Sequence, residues 1–196
     1  SCPCAVAPQR RSPNVSTDLK TGRPNACNLC HLDKSLDWTA RYLSEWYGQK
    51  PVEMSEQQKS VSAALLWLLQ GDAGQRALIA FSMGWDSAKE ASGRPWLAPF
   101  LAQLLEDPYA AVRYIAWRSL KQLAPEYQGL NYDYVGPAPD RAGAKQRAVE
   151  IWKNSQANTL DRTGPGVLIE KDKTLKQGLI EILLKGRNDR SMDLQE

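Results

Sequence analysis

The sequence predicts a mainly α-helical protein, an irregular N-terminal segment followed by α-helical hairpins that repeat and then by a loop and closing helices. Three observations predict it. From Leu36 onward apolar residues recur at the i, i+3/i+4 and i+7 spacing of helices that bury one face. A pattern of apolar helix, Asp-containing turn, Arg and second apolar helix around Arg76 returns around Arg113, thirty-seven residues later. The one β-prone run, Val167-Leu168-Ile169, has no second run to pair with and reads as extended chain. The expected divisions are residues 1–50, 51–124 and 125–196.

In chain order, the first 25 residues hold four prolines and few apolar residues, so an irregular arm is expected. Leu36, Ala40, Leu43 and Tyr47 place a helix over 36–47, stopped by Gly48. Ser55 and Gln58 form a capping box, and Val61, Leu65, Leu66, Leu68 and Leu69 supply the next apolar face. The turn Gly71-Asp72-Ala73-Gly74 breaks that helix and periodicity resumes over 75–85. A second pair follows over 96–105 and 110–123. Its turn, Asp107-Pro108 with Arg113, resembles that of HEAT repeats, where Asp caps the second helix, Pro starts it and Arg bonds to a neighbouring repeat. Residues 125–139, rich in Tyr, Gly and Pro, read as an ordered loop packed on the repeats. Helices over 142–154 and 175–184 close the array, and 187–196 reads as a tail.

Composition bounds the function. With 196 residues, 42% of them apolar, the chain can bury a core, and its charge and Gly content are not those of a disordered or collagenous chain. The longest apolar run, Ala63 to Leu69, falls well short of the roughly 18 residues that span a bilayer, so no transmembrane segment is expected. The formal charge of +3, without a dense basic stripe, gives no reason to expect nucleic acid. The chain begins with Ser and no charged-then-apolar leader, which fits a processed, exported protein or the C-terminal part of a longer one.

The four cysteines, Cys2, Cys4, Cys27 and Cys30, all fall in the first 30 residues. Cys27-Asn28-Leu29-Cys30-His31 has the C-x-x-C-H spacing of c-type haem attachment. Two thiols separated by two residues reach both vinyl groups on one porphyrin edge, and the following His is placed to ligate the iron. Shuffling this composition yields the pattern about three times in ten thousand, and it takes up the only His of the chain. Other readings are a four-thiolate zinc site from all four cysteines, a redox-active dithiol and a structural disulfide.

The stretch from Gly22 to His31, with Asp33-Lys34-Ser35, Trp38, Ala40 and Trp46-Tyr47-Gly48, resembles bacterial multihaem c-type cytochromes in which a haem region precedes HEAT-like helical repeats. The resemblance is specific over 24–48 and looser to the C-terminus. It implies haem c held by Cys27 and Cys30, His31 as axial ligand, a periplasmic or otherwise exported location, and electron transfer with a redox partner protein or an upstream multihaem region. The chain departs from that family in carrying one haem motif instead of several. It also has no His in the segment before Pro24, so a bis-His iron cannot be completed from within it.

For the second axial position the soft donors are Met54, Met83 and Met192. Met54, in a loop 23 residues beyond His31, is the best placed; Met83 reads as core and Met192 as tail. A donor from outside the chain, Met54, or an open iron are the three cases. Peroxidatic chemistry normally needs a distal base, and there is no second His, so the expectation is an electron carrier and not an enzyme. The alternative is a helical-repeat protein-interaction module stapled by a structural haem or a Cys-bound zinc.

Overall fold

The computed structural model describes residues 13–155 and 165–190. Among these residues lie ten α-helices and no strand: α1 (Val15–Thr21), α2 (Leu36–Tyr47), α3 (Glu56–Ser60), α4 (Ala63–Gln70), α5 (Ala73–Met83), α6 (Asp86–Ser92), α7 (Ala98–Gln103), α8 (Ala110–Leu123), α9 (Ala138–Ser155) and α10 (Gln177–Lys185). The mainly α expectation holds. Helix α4 packs on α5, α5 on α8, α8 on α7 and α7 on α9, while α10 covers α4. One large apolar core runs through all of these and takes in Leu32 from the N-terminal segment. A smaller one gathers Val15, Leu36, Leu43 and Ala63 between α1, α2 and the start of α4.

Helices α2 and α8 have the bounds the sequence predicts. Ser35 caps α2 by accepting the Trp38 N–H at 3.2 Å, and Gly48 ends it at φ 62, a left-handed conformation that favours glycine. Its buried face is Leu36, Thr39 and Leu43; Tyr47, expected on that face, is exposed. The Ser55–Gln58 capping box forms, but the helix it starts stops at Ser60.

Ser62 is the reason for that stop. Its hydroxyl donates to the Leu32 carbonyl and accepts the Leu65 N–H at 3.1 Å, capping α4. Its own N–H goes to the Gly166 carbonyl at 2.8 Å, and Ala63 N–H to that of Lys34 at 2.9 Å. One buried serine therefore ties the N-terminal segment to α4 and to the turn at 165–167. Ser62→Ala removes the cap and strands a buried carbonyl, and is expected to cost about 1–3 kcal/mol in urea unfolding. A loss below about 0.5 kcal/mol, the level of an ordinary surface change, would show that the tie carries no load.

Four other stretches differ from expectation. Residues 15–21, expected within an irregular arm, form α1, which Asn14 caps by accepting the Thr17 N–H at 3.0 Å. Helix α6 was not foreseen, because Asp86–Ser92 is polar and buries only Ala88, Lys89 and Ser92. Val167–Ile169 is not extended: a 3-10 turn over Pro165–Val167 leads to Leu168 at φ 54, and Ile169 pairs with Leu175 in an isolated bridge. Residues 187–190 are not a loose tail. Asn188 donates its N–H to the Gln70 carbonyl at 2.9 Å, and the Arg190 carbonyl accepts from the Tyr109 hydroxyl at 3.0 Å. The loop over 125–139 packs on the helices as expected. Tyr127 and Tyr132 are buried in it, and burial pushes the Tyr132 phenol up to about 12.

The two arginines of the thirty-seven-residue pattern sit in matching places. Arg76 donates through Nη1 to the Gly71 carbonyl at 2.6 Å, and Arg113 through Nη1 to the Pro108 carbonyl at 2.9 Å, each five residues back. Each also reaches forward. Arg76 Nε meets the Asp107 carboxylate at 2.7 Å, and Arg113 Nε the Tyr134 carbonyl at 2.6 Å. Asp107 does not cap α8 as expected. Its Oδ1 accepts the N–H of Tyr109 at 2.9 Å, α8 starts one residue later without a side-chain cap, and Pro108 precedes the helix. The carboxylate serves Arg76 instead.

Candidate haem attachment site

The C-x-x-C-H segment is built around two buried asparagines. Asn25 caps a 3-10 turn over Ala26–Leu29: its Oδ1 accepts the Cys27 N–H at 2.9 Å, and its amide donates to the Asp18 carboxylate on α1. Asn28 is fully buried. Its Oδ1 accepts from the Thr39 hydroxyl of α2 at 2.8 Å, and its Nδ2 donates to the Lys34 carbonyl at 3.2 Å. Leu29 and Leu32 pin the same segment into the large core. With Asn28 and Leu32 turned inward, Cys27, Cys30 and His31 are left half-buried at the surface. The Cys27 carbonyl accepts from both the Cys30 N–H, at 3.3 Å, and the His31 N–H, at 2.9 Å. All three candidate residues thus share one tight turn.

His31 is flanked by α2. Its ring lies 5.1 Å from Trp38, Trp38 lies 4.8 Å from Tyr42, and Tyr42 lies 5.0 Å from Trp46, a row at i, i+4 and i+8 that ends in the 55%-exposed Trp46. In the sequence, Trp38 and Trp46 are singled out by the family resemblance and Tyr42 is passed over, although its four-residue spacing from both was the available signal. Burial pushes the His31 imidazole below its ordinary value. The Asp33 carboxylate opposes this and Lys34 adds to it. At neutral pH the ring is therefore the uncharged imidazole, the form that ligates metals.

Between the turn and α2 lies a cleft of about 20 Å³ lined by Cys27, His31 and the aromatic row, with Thr39 and Leu43 at its base. Cys30 is on the same turn but does not line it. Asn28→Ala strands the Thr39 hydroxyl, removes one of the two donors to the Lys34 carbonyl and loosens the turn from α2. The expected cost is about 1–3 kcal/mol with a changed near-UV aromatic signal, read by urea unfolding and circular dichroism. An unchanged signal and stability would mean that α2 positions the turn without Asn28.

Compared with protein-family models, curated proteins and solved structures, the chain matches none.

The donor set of the turn is the one that haem c would need. Among the described residues no three His, Cys, Asp or Glu side chains converge as a metal site. A covalently attached porphyrin does not require that, needing only two thiols for its vinyl groups and one neutral imidazole. A porphyrin does not enter a space of 20 Å³, so the residues that would carry it are those on the rim. Cys2 and Cys4, which the zinc reading needs, lie outside the described residues, as does Met192. Met54 does not line the cleft. It packs on the smaller core of Val15, Leu36, Leu43 and Ala63, and Met83 is fully buried in the large core.

Proposed function

We propose that the chain is an electron-transfer segment of a c-type cytochrome, carrying one haem c and belonging to a multihaem protein of the periplasm or another exported location. The observation that carries the reading is the turn itself: Cys27, Cys30 and His31 are half-buried at the surface on one tight turn whose shape is held from inside by Asn25, Asn28 and Leu32. Cys27 and Cys30 would hold the porphyrin through thioethers, and His31 would ligate its iron. When bound, the haem supplies a reversible Fe(III)/Fe(II) couple.

The chain's own residues do the rest. Trp38 packs against the imidazole and orients it, and the row Trp38, Tyr42 and Trp46 offers an apolar wall to the porphyrin rim. The neutral state of His31 removes proton competition for its nitrogen near pH 7. Met54 would have to leave its core to ligate the iron, so any second protein donor would come from outside the described residues. The helices over 51–124 act as HEAT-like hairpins, with Arg76 and Arg113 in equivalent places, and form the scaffold that presents the haem to its redox partner. No substrate is transformed.

A potentiometric titration followed optically tests the electron-carrier reading. A single one-electron wave, superimposable in the reductive and oxidative directions, is expected. A wave that does not retrace itself in the oxidative direction would contradict the electron-carrier reading.

A further inference from the structure

At the end of α5 remote from the haem turn, a cleft of about 880 Å³ opens between α5, α6 and the C-terminal end of α8. Four cations line it, Lys89, Arg94, Arg118 and Lys121, against one carboxylate, Asp86. The lining therefore carries a formal excess of three positive charges.

Two of the cations have duties within the fold. Lys89 is buried, with Nζ 3.0 Å from the Gln122 carbonyl at the end of α8 and 2.8 Å from Asp86. The Lys121 ammonium sits 3.6 Å from the centre of the Trp117 ring. The other two do not. Arg94 and Arg118 are both exposed, and neither guanidinium makes a hydrogen bond or a close ion pair among the described residues. Asp86 is already engaged by Lys89. Gathering unpaired guanidinium groups around a concave surface costs repulsion that an anionic partner would offset.

We infer that this cleft docks an acidic polypeptide segment of a partner protein. The cations come from α6, the chain after it and α8, along a cleft of about 880 Å³ that is larger than a single phosphate needs. Beside the charges, the exposed Phe81 stands edge-on to Trp85 at 5.6 Å and forms an apolar shelf. Carboxylates strung along a chain, with an apolar side chain between them, match that layout.

The test is calorimetric titration of the full chain with an octapeptide of alternating Asp and Glu around one Leu and one Phe, at about 10 mM salt, where charges act over about 30 Å. The same peptide with Asn and Gln is the reference. The acidic peptide is expected to bind at least about tenfold tighter than its neutral counterpart, and the Arg94→Glu/Arg118→Glu double variant to lose that difference. Lys153→Glu/Lys185→Glu changes the net charge equally at exposed sites outside the cleft, and is expected to keep most of the affinity. Equal weakening by both double variants, no binding by the parent, or displacement of the peptide by an equimolar amount of tripolyphosphate would overturn the inference.

Discussion

Replacing Asp107 with Ala is expected to cost about 3–5 kcal/mol of folding stability, which for a chain of this size lowers the melting temperature by about 6–20 °C. Both members of the Arg76–Asp107 pair have fully buried side chains. Arg76 directs Nε to one carboxylate oxygen at 2.7 Å and Nη2 to the other at 3.2 Å, the bidentate geometry in which guanidinium and carboxylate fit best. Its Nη1 serves the Gly71 and Asn188 carbonyls at 2.6 and 3.1 Å, and Nη2 also approaches Asp189 at 3.4 Å. Every N–H of the guanidinium is thereby directed at an acceptor. Removing Asp107 leaves that cation in the core facing an apolar gap, and Asp189, partly exposed, cannot replace it. Thermal unfolding reads the loss. The double variant Arg76→Met/Asp107→Leu removes both charges and should recover most of the stability. If D107A and the double variant were equally damaged, packing and not charge would be the cause.

The second large effect concerns the haem turn. Cys27→Ala/Cys30→Ala is expected to abolish covalently held haem altogether, while leaving the fold intact, because both side chains are half-buried on a turn held by Asn25, Asn28 and Leu32. Cys30→Ala alone leaves one vinyl group in conjugation with the porphyrin. Its reduced α band should therefore lie at longer wavelength than that of the parent. His31→Gly removes the axial imidazole. Any haem still attached should lose the imidazole-ligated spectrum of the parent and recover an imidazole-ligated one when imidazole is added. Absorption spectra of the four proteins, with far-UV circular dichroism to check the helices, measure these outcomes. Covalent haem in the double cysteine variant would contradict the assignment of the two thiols.

Much of this architecture was legible because it is written in local spacing. The C-x-x-C-H turn and the helix at 36–47 are each specified within a dozen residues, by cysteine spacing and by Ser35 and Gly48 at the helix ends. Helix α8 and the Ser55–Gln58 box were readable for the same reason. The misreadings arise where distant residues decide. Nothing near Ser62 announces that its hydroxyl will be claimed by Leu32, thirty residues earlier, breaking one expected helix into α3 and α4. Residues 187–190 look like a tail until Arg76 is seen to need the Asn188 carbonyl. Asp107 was read as a helix cap because its sequence position suits one, but a buried arginine outcompetes that role. Within the candidate site, Asn28 and Thr39 were missed because their value is to each other across α2. Met54 was singled out by its position along the chain, whereas its packing in the smaller core depends on how α1 and α2 come together.

The central claim is a covalently bound haem. It is tested most directly on protein produced in a periplasm with cytochrome c maturation machinery, by acid-acetone extraction followed by the reduced pyridine haemochrome spectrum of the protein fraction and a zinc determination on the same sample. The account predicts one haem per chain that stays with the protein, and no zinc. A colourless protein fraction carrying one zinc per chain would contradict it and leave a zinc-stapled helical module in its place.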